Sequence, residues 1–488
     1  MTEASTPEPV FDTVFTDLNQ ALETARLRQR VLLNSAVTGL QVCYYIGRQE
    51  LPADAPENLI QVPLDQFVNY FEGTRNRIPN CVTLPPQLSA AECREMATSI
   101  KTILHTVGLT RSRKAAEAIE RYQKRPAKPL RGKRPRVFAV ASRETTVMQH
   151  CSRGLLEAFS RLGHQVRLEI ETNDMQRLDI GHVVDAMASF DPHIVININH
   201  EANNNLPPDV VNVVWWQDPM PAMRAGAQLP WRPNDLVYTV LGNVFGPALE
   251  RTGLPADRIH VQPFCVDAEI FCDHGAPRQD KVVFVGSSAS VELTGGAAEE
   301  ACIAELAAHL ENGEVSEETV CQICARHGFE DRYVALCKIF YYVVRDHLVR
   351  WLCRARGARI EVYGRDWDHD PVVAPFFKGE LPHGRAVADV YRSAKYALVV
   401  HPISINSQRL AEAAACGCIP IVYDCRSVAE PPFWEDRVLY FRTPAGLAQC
   451  LKTSLPTDPD QFRAFFSYAR FAEQILAHAQ PMWDFSTQ

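Results

Sequence analysis

The sequence predicts an α/β protein built on two doubly wound, Rossmann-like parallel sheets in tandem. Short apolar runs rich in β-branched residues recur from Arg136 to Phe441, each long enough for a buried strand. Helical stretches alternate with them, the pattern that lays helices on both faces of a parallel sheet. The series also restarts, because Lys281 to Gly286 (KVVFVG) opens a second set after the first has run its course. Two such sheets are expected to face each other across a cleft, with ligands at the carboxyl ends of their strands.

Length and composition bound the reading. A chain of 488 residues has room for two or three domains, and 46% hydrophobic with 22% charged residues is ordinary for a globular protein. The net charge of -8 argues against a nucleic-acid binder and against an electrostatic membrane anchor. The exception, Lys124 to Arg136 (KRPAKPLRGKRPR), is Pro-rich and reads as a solvated linker. No basic region followed by an apolar run opens the chain, so no signal peptide is expected. No stretch approaches the roughly 20 apolar residues of a transmembrane segment. The 15 cysteines are scattered and read as reduced, buried side chains. The expected location is the cytoplasm.

In chain order, residues 1–130 read as a helical region. Thr16 to Ser35 carries a cap and apolar positions at helical spacing, and Ser89 to Val107 begins with SAAE, a capping-box pattern. Residues 131–275 form the first sheet domain. Its strands are expected at Arg136–Ala141, Gln165–Ile170, His193–Ile198, Val210–Trp216, Leu236–Val240 and Ile259–Phe264, with helices at Thr146–Leu162 and Ile180–Phe190. Residues 276–488 form the second, with strands at Lys281–Gly286, Arg359–Gly364, Tyr396–Val400, Ile419–Tyr423 and Val438–Phe441. A helical insertion spans 297–356, and one amphipathic helix closes the domain over 459–479.

The second sheet carries the most informative stretch, His401 to Cys425 (HPISINSQRLAEAAACGCIPIVYDC). A strand runs into a polar loop whose Ser404, Asn406 and Ser407 are candidate caps. An Ala-rich helix over Ser407–Cys416 ends at Gly417, and a second buried strand follows. The helix N-terminus beside a strand's carboxyl end is a ready anion site, and Glu412 lies near whatever it holds. The same stretch is equally an ordinary buried βαβ unit.

Three segments together resemble a known family. Arg258 to Cys272 (RIHVQPFCVDAEIFC) looks like the hinge of two-domain GT-B glycosyltransferases. Lys281 to Ser287 resembles the first strand of their nucleotide-binding half, and Asn406 to Ile419 their donor-site helix. Tyr363-Gly364 with Trp367, and Trp215 to Pro219 (WWQDP), resemble the CgeB-like group, the spore-maturation glycosyltransferase homologues. The resemblance covers about 135–480 and implies a GT-B fold, a nucleotide-diphosphate sugar as substrate and no separate cofactor. It implies that the diphosphate meets Gly286, Ser287 and the helix start near Ser404, Asn406 and Ser407, through free backbone N–H groups. Glu412 would then accept from the ribose hydroxyls. Many retaining members carry two glutamates eight residues apart, and Ser404 stands at the earlier position. Arg409 is a phosphate ligand or a partner for Glu412, and Arg365 is a second phosphate candidate.

On the acceptor side, Asp218 follows an apolar strand directly. It is a base, a sugar ligand or the Asp of an Asp-Pro turn. His200 also ends a strand and is the other candidate base. Trp215 and Trp216 read as a sugar platform or as core. Cys321-x-x-Cys324-x-x-His327 lies in a helical pattern without a second CxxC, so no metal is expected. No GxGxxG, GxSxG or GxxxxGK[ST] appears, which argues against dehydrogenase, hydrolase and P-loop readings. The expected activity is sugar transfer to a hydroxyl of a glycan or protein, such as flagellin or a surface polysaccharide. Competing readings are a non-catalytic scaffold of the same fold, docking through residues 1–130, and a sugar-nucleotide epimerase.

Overall fold

A computed structural model describes residues 11–28, 31–33, 36–38, 40–85, 87–127, 134–290, 293, 295–313, 315–355 and 359–484. The middle of the basic linker, 128–133, and the first ten residues lie outside them. The chain folds as two compact units, one of residues 1–214, 230–236 and 477–488, the other of 215–229 and 237–476.

The first unit opens with β1 (Thr13–Phe15), α1 (Leu18–Leu27), a hairpin of β2 (Val31–Leu33) and β3 (Ala36–Thr38), β4 (Cys43–Tyr45), β5 (Leu59–Gln61), α2 (Phe67–Gly73), β6 (Cys81–Thr83) and α3 (Ala90–Gln123). Four of these strands make a parallel sheet in the order β5-β4-β1-β6. The sequence reading of a helical region leaves these strands out. Strands of three residues are too short to show alternation, and the helix expected through Ser35 stops at Leu27. The predicted capping box is present: Ser89 Oγ accepts from Glu92 N at 3.3 Å and Glu92 Oε2 from Ser89 N at 2.9 Å. Ala118 and Tyr122 of α3 share a core with Val183, Val184 and Met187, so the long helix joins this region to the sheet that follows.

That sheet is built from β7 (Arg136–Val140), α4 (Thr146–Arg161), β8 (Gln165–Glu169), α5 (Ile180–Phe190), β9 (Ile194–Ile198), β10 (Val211–Trp216), α6 (Pro221–Ala225), β11 (Asp235–Thr239), α7 (Gly242–Glu250) and β12 (Ile259–Val261). Its strand order is β12-β11-β10-β9-β7-β8. The direction of winding reverses between β7 and β9, which opens a crevice at their carboxyl ends.

The second unit holds β13 (Gln279–Val285), α8 (Ala297–Glu311), α9 (Glu317–Arg326), a π-helical turn at Val334–Phe340, α10 (Tyr341–Arg354), β14 (Arg359–Tyr363), α11 (Arg385–Ser393), β15 (Ala394–Val399), α12 (Gln408–Ala415), β16 (Ile419–Tyr423), β17 (Leu439–Phe441), α13 (Pro444–Cys450) and α14 (Pro459–Phe465). Its five parallel strands run β14-β13-β15-β16-β17, with the reversal between β13 and β15. The α/β class with doubly wound parallel sheets is therefore present as expected, and α8, α9, the π-helical turn and α10 lie between β13 and β14. The single closing helix is not. It breaks after α14 and resumes as α15 (Tyr468–Asp484), because Phe466 O accepts from Val266 N at 2.9 Å and Ser467 bridges to Val266. An amphipathic pattern continues through such a break, since the break costs only one turn.

Trp215 and Trp216 are fully buried. Trp215 Nε1 donates to Gln262 O at 3.2 Å and its ring meets Phe471 at 4.9 Å, so these rings are core. The loop after β16 carries Glu430, whose carboxylate accepts from Gly242 N at 3.1 Å and Asn243 N at 2.5 Å, capping α7. A Cβ on Gly242 would lie 2.5 Å from Glu430 Oε1, so this cap requires glycine there.

Candidate functional site

The β13/β15 reversal in the second unit brings two loops together, 286–290 after β13 and 400–407 after β15. The first is folded back tightly. Gly286 N donates to Tyr363 O at 2.9 Å, Ser288 N to Arg365 O at 3.0 Å, and Ala289 N to Asp346 Oδ1 at 3.0 Å. Trp367 Nε1 donates to Gly286 O at 2.7 Å. Gly364, at φ 139°, lies so close that a Cβ would stand 2.2 Å from Gly286 O. The expectation of a loop of free amides is thus narrowed to Ser287, because its neighbours already bond to the end of β14 and to Asp346.

Cations compensate. Arg365 N donates to Ser287 Oγ at 3.1 Å, while its side chain is exposed and pairs with no carboxylate among the described residues. Arg345, on α10, donates from a guanidinium nitrogen to Ser287 O at 3.1 Å and stacks 4.5 Å from the Tyr341 ring centre. Tyr341 in turn packs against His401, 5.6 Å between centres. Burial, with Arg345 beside it, pushes the His401 imidazole down to about 3. Its Nδ1 accepts from Ile403 N at 3.3 Å, so the neutral ring carries its proton on Nε2, a donor. Asp346, 2% exposed, holds Ser288 Oγ at 2.5 Å as well as Ala289 N, and burial raises its carboxyl above the usual range.

Arg345, Tyr341, Asp346 and His401 were not among the sequence candidates. The available signal was Asp346 itself, a carboxylate on the apolar face of α10 that packing leaves 2% exposed. Such a group is buried only with fixed partners.

The other candidates gather around α12. Ser407 caps it, its Oγ accepting from Leu410 N at 3.3 Å. Asn406 is committed to the framework: Nδ2 donates to Glu430 O and Oδ1 accepts from Trp434 Nε1, both at 2.9 Å. Ser404 is 8% exposed. Glu412 is completely buried. Its Oε1 meets His383 Nε2 at 3.1 Å and Gln408 Nε2 at 3.0 Å, and its Oε2 is paired with Arg409. Burial alone would raise its carboxyl, but Arg409 and His383 outweigh this and hold it below the usual range. Of the two readings of Arg409, the structure has the pair with Glu412.

In the first unit, His200 lines a cavity of about 360 Å³ at the carboxyl ends of β7 and β9. Its Nδ1 sits 2.9 Å from Ile198 O, which can only accept. The proton is therefore on Nδ1, and Nε2 keeps its lone pair. Burial lowers the imidazole's affinity for a second proton. Asp218, in the second unit, is exposed just past β10, with its carbonyl accepting from Met220 N at 3.0 Å. The cysteine–histidine segment goes elsewhere: His327 Nε2 bonds Glu305 at 2.8 Å and Cys324 Sγ lies 3.7 Å from Cys302 Sγ.

Residues 345–482 match a family model described as glycosyl transferase-like. No curated protein matches the sequence. Among solved structures, the chain is similar to a glycosyltransferase from Rickettsia africae (9% identity, TM-score 0.39, covering 72% of this chain and 98% of that one). It is similar also to a sucrose-phosphate synthase from Thermosynechococcus elongatus (10%, 0.41, 73% and 100%). A third is a lipopolysaccharide outer core galactosyltransferase (11%, 0.36, 72% and 99%).

Proposed function

From the premise that residues 345–482 are a glycosyl transferase-like domain, we propose that the chain is a glycosyltransferase. It moves a sugar from a nucleotide-diphosphate donor to a hydroxyl acceptor. The observation that carries this is the pair of arginines at the β13/β15 reversal. Arg365 is held by its backbone at Ser287 with its guanidinium exposed, and Arg345 reaches the same loop from α10. Cations placed beside a departing diphosphate stabilise charge as it develops there, an effect that supplies much of the rate in such chemistry. Neutral His401 adds a donor at Nε2. In this reading Glu412 sets the posture of α12 through Arg409 and His383, and any bond to the ribose is made on rearrangement of that cluster.

The acceptor hydroxyl loses its proton to His200 Nε2, with Asp218 as the other candidate base. Keeping water from the reacting sugar limits hydrolysis of the donor. The acceptor is a glycan or protein, of which flagellin and surface polysaccharide are examples, and the group is the CgeB-like one. The setting in this reading is the cytoplasm, and no helix among the described residues is long and apolar enough to cross a membrane.

The test is calorimetry with a panel of nucleotide sugars. One member binds the full chain, and Arg365→Gln weakens it about tenfold, or roughly 1.4 kcal/mol. If no nucleotide sugar binds, or Arg365→Gln binds as tightly as the parent, the donor site is elsewhere. Two observations favour a scaffold reading: Glu412 is fully paired with Arg409, His383 and Gln408, and Ser404 stands in place of a second glutamate. Absence of both transfer and donor hydrolysis with every sugar that binds would favour it.

A further inference from the structure

We propose that the cavity at the carboxyl ends of β7 and β9 takes a polyol that is uncharged or bears an amino group, and rejects one bearing a carboxylate. This rests on reading the cavity as the acceptor side of the transfer proposed above. The lining that decides it is Asn197, His200, Glu144, Glu171, Asp179 and Glu201.

Asn197 is 1% exposed and its orientation is fixed from a distance. Asp235, also 1% exposed, accepts from Arg232 N at 2.6 Å and Arg232 Nε at 2.9 Å. A carboxylate so bound can only accept, so Asn212 must turn its Nδ2 toward it, at 3.2 Å. The same Nδ2 donates to Asn203 Oδ1 at 2.9 Å. Asn212 Oδ1 is then left to accept, and Asn197 gives it Nδ2 at 2.8 Å. Asn197 Oδ1 ends this relay at the cavity wall, with no donor among the described residues. A fixed acceptor reachable from the cavity pairs with a donor on whatever fills it.

His200 presents a second lone pair at Nε2, as derived above. Four carboxylates stand in the lining against a single cation, Arg177. Glu171 is already committed, accepting from Ser142 Oγ at 3.1 Å and Arg143 N at 2.8 Å, but its charge remains. Fixed acceptors with a negative surround suit hydroxyl or ammonium donors and oppose a ligand carboxylate.

Calorimetry on the full chain with methyl α-glucopyranoside, methyl glucosaminide and methyl glucuronide tests this. The first two bind, and the glucuronide is at least tenfold weaker. Asn197→Leu lowers affinity for the neutral glycoside at least tenfold, and Glu201→Gln, at a half-buried position, narrows the gap to the glucuronide. Equal or tighter glucuronide binding overturns the proposal, as does no binding by any of the three. So does an Asn197→Leu chain that keeps its circular dichroism and binds unchanged. If that variant does not fold, the ranking in the parent and its shift in Glu201→Gln decide. The donor panel fails separately: glycosides ranked as stated without nucleotide-sugar binding sink only the transfer reading, and the converse sinks only this one.

Discussion

At the residue scale, the second unit's site depends on contacts that admit little change. Gly364 passes Gly286 at a distance and a φ that together exclude a side chain. Gly364→Ala should destabilise by ~2–3 kcal/mol and displace Arg365, so a urea titration and the loss of donor binding should move together. Glu412→Ala leaves Arg409 facing an empty acceptor. Because that side chain is 36% exposed and its charge partly rehydrates, the expected loss is ~3 kcal/mol, the low end for breaking a buried pair. Glu412→Gln, which keeps an oxygen for His383 or Gln408, should lose less in the same titration. Arg365 and the helix of Ser407 to Cys416 were legible because motif spacing and caps are local. Arg345 and Asp346 were not, since nothing within an apolar helical run says that it ends over the first strand of the sheet. Asn197 was illegible for another reason: its meaning depends on Asp235, far along the chain.

At the element scale, legibility followed length. Ile419–Tyr423 and Ile180–Phe190 have the bounds their residues suggest, and the other strands of the two larger sheets differ by a residue or a few. Five or six apolar residues between turns leave few alternatives. The three-residue strands of the first sheet leave many, and only contacts distant in sequence select them. The capping box of α3 is the converse case, a signal contained within four residues. Ser89→Ala removes it and should lower stability by ~1 kcal/mol. The drop should appear in the melting temperature while affinity for the nucleotide sugar stays unchanged, as the cap lies in the other unit.

At the scale of the whole molecule, two half-buried histidines make stability depend on pH. His401 is pushed down to about 3 and His347 to about 4, in both cases first by burial. The unfolded chain, with ordinary values near 6.5, binds these protons more readily than the folded one. The histidine contribution is therefore complete above about pH 7 and is lost as pH falls from there toward 4 and below. Urea midpoints measured from pH 7.5 to 4.5 should decline, and His347→Gln, which does not titrate, should decline less steeply. A flat profile would contradict the burial of these rings. The Glu430 cap has a further use. Its two bonds protect the Gly242 and Asn243 amides, which exchange with deuterium only when the loop after β16 lets go of α7. Those two hydrogens are a built-in clock for that release, readable as deuterium uptake by mass spectrometry, and a ligand that tightens or loosens the grip would change its rate.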